Sequence, residues 1–218
     1  MEQDKEVRRG AAVYNKPVLA LYDLVVVRVS NSYVWRCHRE RMAALYTQNM
    51  GRAHLDVGPG TGWYLTHSRR LVAGSITLLD INANSLASSS ARLAASSPQT
   101  VLANVLEPLP SIGPFDSIGA NFLFHCLPGT WSAKGVAFGH LARKLSPDGV
   151  LFGSTILGRG VHHNLIGRGL MSIYNDRGIF HNADDDQSGL EVALQDHFSD
   201  VTVDVVGAVA LFRAGRPR

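Results

Sequence analysis

From residue 53 onward, short apolar runs alternate with longer segments in which apolar residues recur at helical spacing. Short strands separated by helices are typical of a parallel sheet, because parallel neighbours need a crossover connection rather than a tight turn. This pattern predicts an α/β fold whose ligand site lies at the carboxyl ends of the strands. The predicted strands cover 54–57, 75–80, 99–103, 115–121 and 150–155, and the predicted helices cover 63–71, 84–95 and 133–145.

The end of the chain departs from this alternation. Two apolar runs are separated there by Gly207 alone, and such a link is too short for a parallel crossover. We therefore expect these runs to form an antiparallel hairpin. The elements predicted after the fifth strand are helices at 161–174 and 190–198, a loop at 175–186, and strands at 201–206 and 208–213.

Composition narrows the class of protein. The chain of 218 residues is 45% apolar and 18% charged, below the average of about 25% charged for soluble domains, as expected for a folded protein with a large core. The start, MEQDKEVRRG, and the lack of a run of about 18 apolar residues predict neither a signal peptide nor a membrane span. Two cysteines fit a cytoplasmic location. The net charge of only +3 argues against nucleic acid as a partner.

The strongest local signal is a glycine-rich turn between the first strand and the following helix, HLDVGPGTG over residues 54–62. Glycines there allow a tight turn and the close approach of a ligand. A dinucleotide fingerprint needs a further glycine where Trp63 stands, so a nicotinamide site is disfavoured. Asp56, just before the turn, suits a cationic ligand better than a diphosphate. Asp80 ends the second strand, where a carboxylate can accept hydrogen bonds from ribose hydroxyls.

These motifs together resemble the class I S-adenosylmethionine-dependent methyltransferases. The resemblance covers about residues 52–155 and the closing strand pair, and it rests on DVGPGTG at 56–62, Asp80, and LSPDG at 145–149. It implies a Rossmann-like sheet of seven strands, mostly parallel with the last strand antiparallel, and S-adenosylmethionine as the cofactor. The resemblance also implies the cofactor-binding residues, which are Asp56, Gly58, Gly60, Thr61, Gly62, Asp80, Asn104 and Asn121.

Within this family, subgroup signals favour a small-molecule acceptor. Asn121 is followed by Phe122 rather than by the Pro-Pro-aromatic motif of enzymes that methylate bases. The segment NFLFHCLPG at 121–129 resembles methyltransferases of the quinone-biosynthesis type. His125 is a candidate catalytic base, since a histidine there could accept a proton from an acceptor hydroxyl or amine. The alternative is that His125 packs beside the cofactor or donates a hydrogen bond to a loop carbonyl.

The segment before residue 52 is predicted to be a helical lid over the acceptor, and residues 52–218 to be the cofactor-binding domain. Apolar residues at 18–29 recur at helical spacing, although a strand would also fit them, and a second helix is predicted from Arg36 to about Met50. Closing such a site would exclude water. The predicted acceptor contacts are Tyr14, Tyr22, Trp35, His125, Tyr174, Asn175 and Phe180, which favour an apolar or aromatic acceptor.

Two further alternatives concern function and metal binding. A protein of this fold could bind S-adenosylmethionine and act without methyl transfer, as a cyclase or pericyclase does. The acidic run at 184–186 precedes a predicted helix, so we expect helix capping there and no metal site.

Overall fold

The computed structural model describes residues 32–68 and 74–218. The strands within these ranges form one seven-stranded sheet in the order β3-β2-β1-β4-β5-β7-β6. Neighbouring strands from β3 to β5 run parallel. The last strand, β7, pairs antiparallel with both β5 and β6. This topology confirms the predicted Rossmann-like sheet. The strands are β1 (Ala53–Val57), β2 (Ser75–Asp80), β3 (Gln99–Leu102), β4 (Phe115–Asn121), β5 (Leu145–Ile156), β6 (Phe198–Val206) and β7 (Val209–Pro217).

The closing hairpin forms where Gly207 and Ala208 separate β6 from β7. Gly207 has φ +63°, a conformation that side chains disfavour. A Cβ on Gly207 would also meet the carbonyl oxygen of Trp35, so a glycine is required here twice over. The predicted antiparallel hairpin is therefore confirmed.

The helices that connect the parallel strands pack against the sheet, as crossover connections do. One prediction was wrong in detail: the helix expected at 133–145 is two short helices on either side of Gly135, and the strand expected at 150–155 already begins at Leu145. The helices are α1 (Arg39–Asn49), α2 (Trp63–His67), α3 (Ala83–Arg92), α4 (Trp131–Lys134), α5 (Val136–Ala142), α6 (Leu165–Asp176) and α7 (Gln187–Gln195).

Helix α1 packs into the domain rather than over it. Its residues Met42 and Tyr46 are 0% and 2% exposed, and the Tyr46 ring lies 5.1 Å from that of Phe152 on β5. Residues 39–49 are thus packed into the core of the domain that contains the sheet, although the sequence analysis placed them in the lid. Residues 1–31 of the predicted lid, including Tyr14 and Tyr22, lie outside the described residues.

Within residues 32–68 and 74–218, no helix has the length and apolar character needed to cross a membrane.

Candidate functional site

Three glycines turn the chain after β1. Gly58, Gly60 and Gly62 have φ values of +68°, +56° and +74°, in the left-handed region that other residues rarely adopt. A Cβ on Gly58 would lie 3.0 Å from Cδ1 of Leu123. The Gly58 amide donates to the carbonyl oxygen of Leu79 at 2.8 Å, which ties the turn to β2. The turn therefore presents backbone rather than side chains at the carboxyl end of β1.

A cleft opens beside this turn at the carboxyl ends of β1, β2 and β3. Three of the predicted cofactor residues, Gly58, Asp80 and Asn104, lie together in it. Most of the other lining side chains are aliphatic, and they suit a flat heterocycle that polar groups hold at its edges. The lining residues are Val57, Gly58, Leu79, Asp80, Ile81, Ala103, Asn104, Val105, Leu123 and Leu127.

Asp80 and Asn104 are both held in place by backbone amides. Oδ1 of Asp80 accepts a hydrogen bond from the Asn82 amide at 2.9 Å, and Oδ1 of Asn104 accepts one from the Leu106 amide at 3.1 Å. Burial raises the pKa of Asp80 to about 6, while hydrogen bonds oppose that rise. An oxygen that accepts one bond keeps a second lone pair. Both side chains can therefore still accept a hydrogen bond from a ligand hydroxyl or amine.

Asp56 lies deeper, with only 2% of its surface exposed. Its Oδ1 accepts a hydrogen bond from the Tyr46 hydroxyl at 2.9 Å. Burial raises the pKa of Asp56 to about 7, with a smaller contribution from the charge of Asp80. The sequence analysis did not identify Tyr46 as a partner of this carboxyl group. The pattern of the predicted helix indicated only that Tyr46 lies on its apolar side.

The remaining predicted cofactor residues surround the turn without lining the cleft. The carbonyl oxygen of Gly60 accepts from Oγ of Ser85 at 3.1 Å, and the side chain of Thr61 is buried near the Arg92 guanidinium. Oδ1 of Asn121 accepts from Oγ of Ser154 at 2.7 Å, but its buried Nδ2 has no hydrogen-bond partner of good geometry among the described residues. A buried donor left without a partner is costly. The unused donor of Asn121 and the cleft lined by Gly58 thus fit a cofactor with hydrogen-bond acceptors.

His125 lies on a short 3₁₀ turn, Phe124–Cys126, after β4. It is 4% exposed, and its ring meets the Phe180 ring edge-on at a centroid distance of 4.5 Å. The Ile156 amide donates to Nδ1 of His125 at 3.5 Å. Burial, aided by the charge of Lys134, lowers the pKa of His125 to about 3. The imidazole is therefore neutral, and the Ile156 contact favours the tautomer whose ring proton is on Nε2.

The predicted acceptor residues that the structure describes gather around His125 as an aromatic cluster. Tyr174 and Phe180 lie 4.9 Å apart, and Trp35, which is 2% exposed, lies 6.1 Å from Phe180. The ring of Phe122, which the sequence did not single out, lies 5.9 Å from that of His125. We call Trp35, Phe122, His125, Tyr174 and Phe180 the aromatic cluster.

Asn175 braces the loop that carries Phe180. Its Nδ2 donates to the Met171 carbonyl at 2.8 Å and to Oδ1 of Asn182 at 3.1 Å, and its Oδ1 accepts from the Asn182 amide at 3.2 Å. Asn182 in turn donates to the Ile156 carbonyl at 2.8 Å. These bonds engage both amide hydrogens of Asn175, so its observed contacts hold the loop against β5.

The acidic run at 184–186 divides among three roles. Asp186 caps α7, as predicted, by accepting from the Gly189 amide at 2.8 Å. Asp185 forms a buried ion pair with Lys134 at 2.7 Å, which the sequence did not reveal. Asp184 is exposed and lies 3.6 Å from the Arg159 guanidinium. Within the part of the chain that the structure describes, no group of three His, Cys, Asp or Glu residues is placed to hold a metal ion.

The Asp56→Asn substitution should make the stability of the protein less dependent on pH. The pKa of Asp56 rises from 3.8 to about 7 on folding, so the folded state retains a proton that the unfolded state releases in this interval. Stability is therefore lost as pH rises through the folded pKa, by at most about 1.4 kcal/mol per pH unit for one proton. Thermal unfolding without cofactor at about pH 5 and about pH 8 measures this loss.

The Asn variant should lose less stability over that interval than the native protein. Asp200→Asn on β6, which replaces a carboxylate whose side chain is 50% exposed, is the matched control and should behave as the native protein does. An equal pH dependence in native protein and Asp56→Asn would contradict the assignment.

Comparisons with known proteins agree with this geometry. Residues 31–196 match the protein family described as Methyltransferase domain. The chain is 38% identical to the physcion biosynthesis cluster O-methyltransferase of Aspergillus chevalieri, over 96% of each chain. It is 39% identical to the demethylluteothin O-methyltransferase of Streptomyces thioluteus, over 97% of this chain and 93% of that protein.

A solved structure with the same fold is that of the N-methyltransferase NodS from Bradyrhizobium japonicum WM9 with S-adenosyl-L-homocysteine. It has a TM-score of 0.63 at 14% identity, over 93% of this chain and 98% of that one. At this low identity, the match shows the fold alone. The family match and the two O-methyltransferases, each similar over nearly its whole length, show the family. The chain therefore belongs to the class I S-adenosylmethionine-dependent methyltransferases, and it transfers the methyl group of S-adenosylmethionine to a small molecule.

Proposed function

We propose that this enzyme methylates a hydroxyl group on a flat aromatic metabolite. The observation that carries the proposal is the aromatic cluster, in which Phe122 and Phe180 meet the buried His125 edge-on. Aromatic rings prefer edge-to-face and offset-stacked partners, so such a cluster suits an aromatic acceptor. The names of the two O-methyltransferase relatives support an oxygen acceptor.

The cofactor residues have roles that follow from their positions. The Asp80 carboxylate would accept from the ribose hydroxyls, Asn104 would face the adenine amine, and the backbone at Gly58 would let the cofactor approach closely. Asp56 and Asn121 lie at the neighbouring strand ends, beside the methionine part. The bound cofactor supplies an electrophilic methyl group, and the protein has to align donor and acceptor and keep water away.

His125 would hold the acceptor oxygen. Because its pKa is lowered to about 3, the ring remains neutral over the physiological range. The acceptor reacts as the phenolate, after its hydroxyl proton has passed to water. With the ring proton on Nε2, the imidazole donates a hydrogen bond to the phenolate oxygen and stabilises its charge. A role as general base requires the other tautomer, with the ring proton on Nδ1, where the Ile156 amide now donates.

A panel of acceptors tests the proposal. Purified enzyme with S-adenosylmethionine is offered phenols and hydroxyquinones, and, as matched compounds, the corresponding anilines and aliphatic alcohols. Mass spectrometry should find methyl ethers of the phenols together with equimolar S-adenosylhomocysteine. Methylation of only the anilines or only aliphatic compounds would overturn the assignment of a phenolic acceptor.

Three predictions from the sequence remain part of the proposal. Of the lid predicted over residues 1–51, the part that precedes α1, with Tyr14 and Tyr22, would cover the acceptor. The cytoplasm would be the site of action, and nucleic acid would not be a partner. The composition of the chain supports the last two.

A further inference from the structure

Among the residues that the structure describes, Lys134 is a buried cation to which the mechanism above gives no role. Lys134, at the end of α4, is 0% exposed. Its Nζ donates to Oδ2 of Asp185 at 2.7 Å, to the His181 carbonyl at 2.9 Å and to the Phe124 carbonyl at 3.4 Å. An ammonium group has three hydrogens, and all three are used. Lysine is rarely buried so completely unless it is paired.

These three bonds join the two segments that hold His125. Phe124 precedes His125 on the 3₁₀ turn, and His181 follows Phe180, whose ring packs on the imidazole. The two segments also meet directly, because the His181 amide donates to the His125 carbonyl at 2.8 Å. Lys134 therefore ties the turn that carries the imidazole to the loop that carries its aromatic neighbour.

Stability alone is a weak reason for such a pair. Taking two charges out of water costs several kcal/mol, and an apolar pair of similar volume is often as stable or more so. A buried ion pair can instead specify one arrangement of its surroundings. The charge of Lys134 also acts on the imidazole, since it lowers the pKa of His125 in addition to burial.

We propose that Lys134, with Asp185 as its counter-ion, is a positioning residue that holds His125 in the orientation and tautomer used at the acceptor site. The inference rests on the proposed function in assigning His125 to the acceptor. The claim that Lys134 sets the state of the imidazole stands on the contacts alone, and it can be tested without any acceptor.

The test uses the full chain saturated with S-adenosylhomocysteine and nitrogen-15 spectra of the histidine rings, in which the two tautomers have different shifts. The His125 signals are identified by their loss in His125→Gln. The main variant, Lys134→Met with Asp185→Leu, replaces the ion pair by an apolar pair. The matched control, Arg213→Met with Asp200→Leu, removes an exposed ion pair of 2.9 Å on β6 and β7.

In native protein and in the control, His125 should give one set of signals for the neutral ring with its proton on Nε2. In the apolar variant, those signals should broaden or divide between tautomers, while S-adenosylhomocysteine still binds and unfolding remains cooperative. Turnover of a phenol should fall at least tenfold, by an effect on kcat, because the imidazole is no longer held for the acceptor. Unchanged His125 signals in the folded apolar variant would overturn the proposal.

If the apolar variant does not fold, Asp185→Asn decides the matter. The amide oxygen can still accept from Lys134, so this variant should fold. Because the ammonium group loses the charge of its counter-ion and is held less firmly, a smaller change should appear at His125. Native His125 signals in Asp185→Asn would then overturn the proposal. Failure to methylate any phenol, with the spectral change observed, would contradict the proposed acceptor and leave the positioning role of Lys134 supported.

Discussion

The turnover of the His125→Ala variant is expected to fall roughly 10²–10⁴-fold. This is the range for losing a side chain that orients the reacting oxygen or exchanges a proton with it. The reason is the position of His125, which is buried within the aromatic cluster and neutral because burial lowers its pKa to about 3. Turnover is measured with a phenol that the acceptor panel identifies. Calorimetry with S-adenosylhomocysteine should show cofactor affinity close to that of the native enzyme.

The matched variant His125→Gln separates the two roles of the side chain. A glutamine amide can donate a hydrogen bond from about the position of Nε2 but cannot act as a base. We expect His125→Gln to retain much more activity than His125→Ala, because the Ile156 contact favours donation from Nε2. If both variants are equally slow, His125 is the base. If turnover and cofactor affinity fall together, His125 packs against the cofactor and does not contact the acceptor.

The second large effect is expected at Asp80. Asp80→Ala should weaken S-adenosylhomocysteine binding by about 1.5–3 kcal/mol, roughly 10- to 150-fold, as is usual when a hydrogen-bonded charged group is removed. Asp80 lines the cleft with Gly58 and Asn104. Its Oδ1 also accepts from the Asn82 amide at the start of α3, so the variant should lose some thermal stability as well.

Isothermal calorimetry with Asp80→Asn as the control tests this assignment. Asparagine keeps a carbonyl oxygen that can accept from the Asn82 amide and from one ribose hydroxyl, so its affinity should fall between those of native enzyme and Asp80→Ala. Native affinity in Asp80→Ala would exclude the ribose role. If the affinity of Asp80→Ala for S-adenosylhomocysteine falls only as far as its loss of thermal stability explains, Asp80 stabilises the start of α3 and does not contact the ribose.

Much of the cofactor half could be predicted because its signals are local. Gly58, Gly60 and Gly62 have positive φ values, and a run of glycines after an apolar strand reports that requirement directly. The strand ends at Asp80 and Asn121 follow from the apolar runs that precede them, and the observed β2 and β4 end at these residues. Gly207 allows only a hairpin between its flanking strands, because no crossover fits in one residue.

The partners of buried polar groups were decided only by the tertiary structure. Tyr46 meets Asp56, and Lys134 meets Asp185 across 51 positions of the chain. No periodicity encodes such pairs, because a buried hydrogen bond depends on how whole elements pack and not on spacing along one of them. The same reason places α1 in the core, since its burial requires the sheet face that Phe152 provides. The sequence by itself thus determined the alternation of strands and helices, the closing hairpin and the cofactor turn, whereas packing decided the protonation state and surroundings of Asp56 and His125.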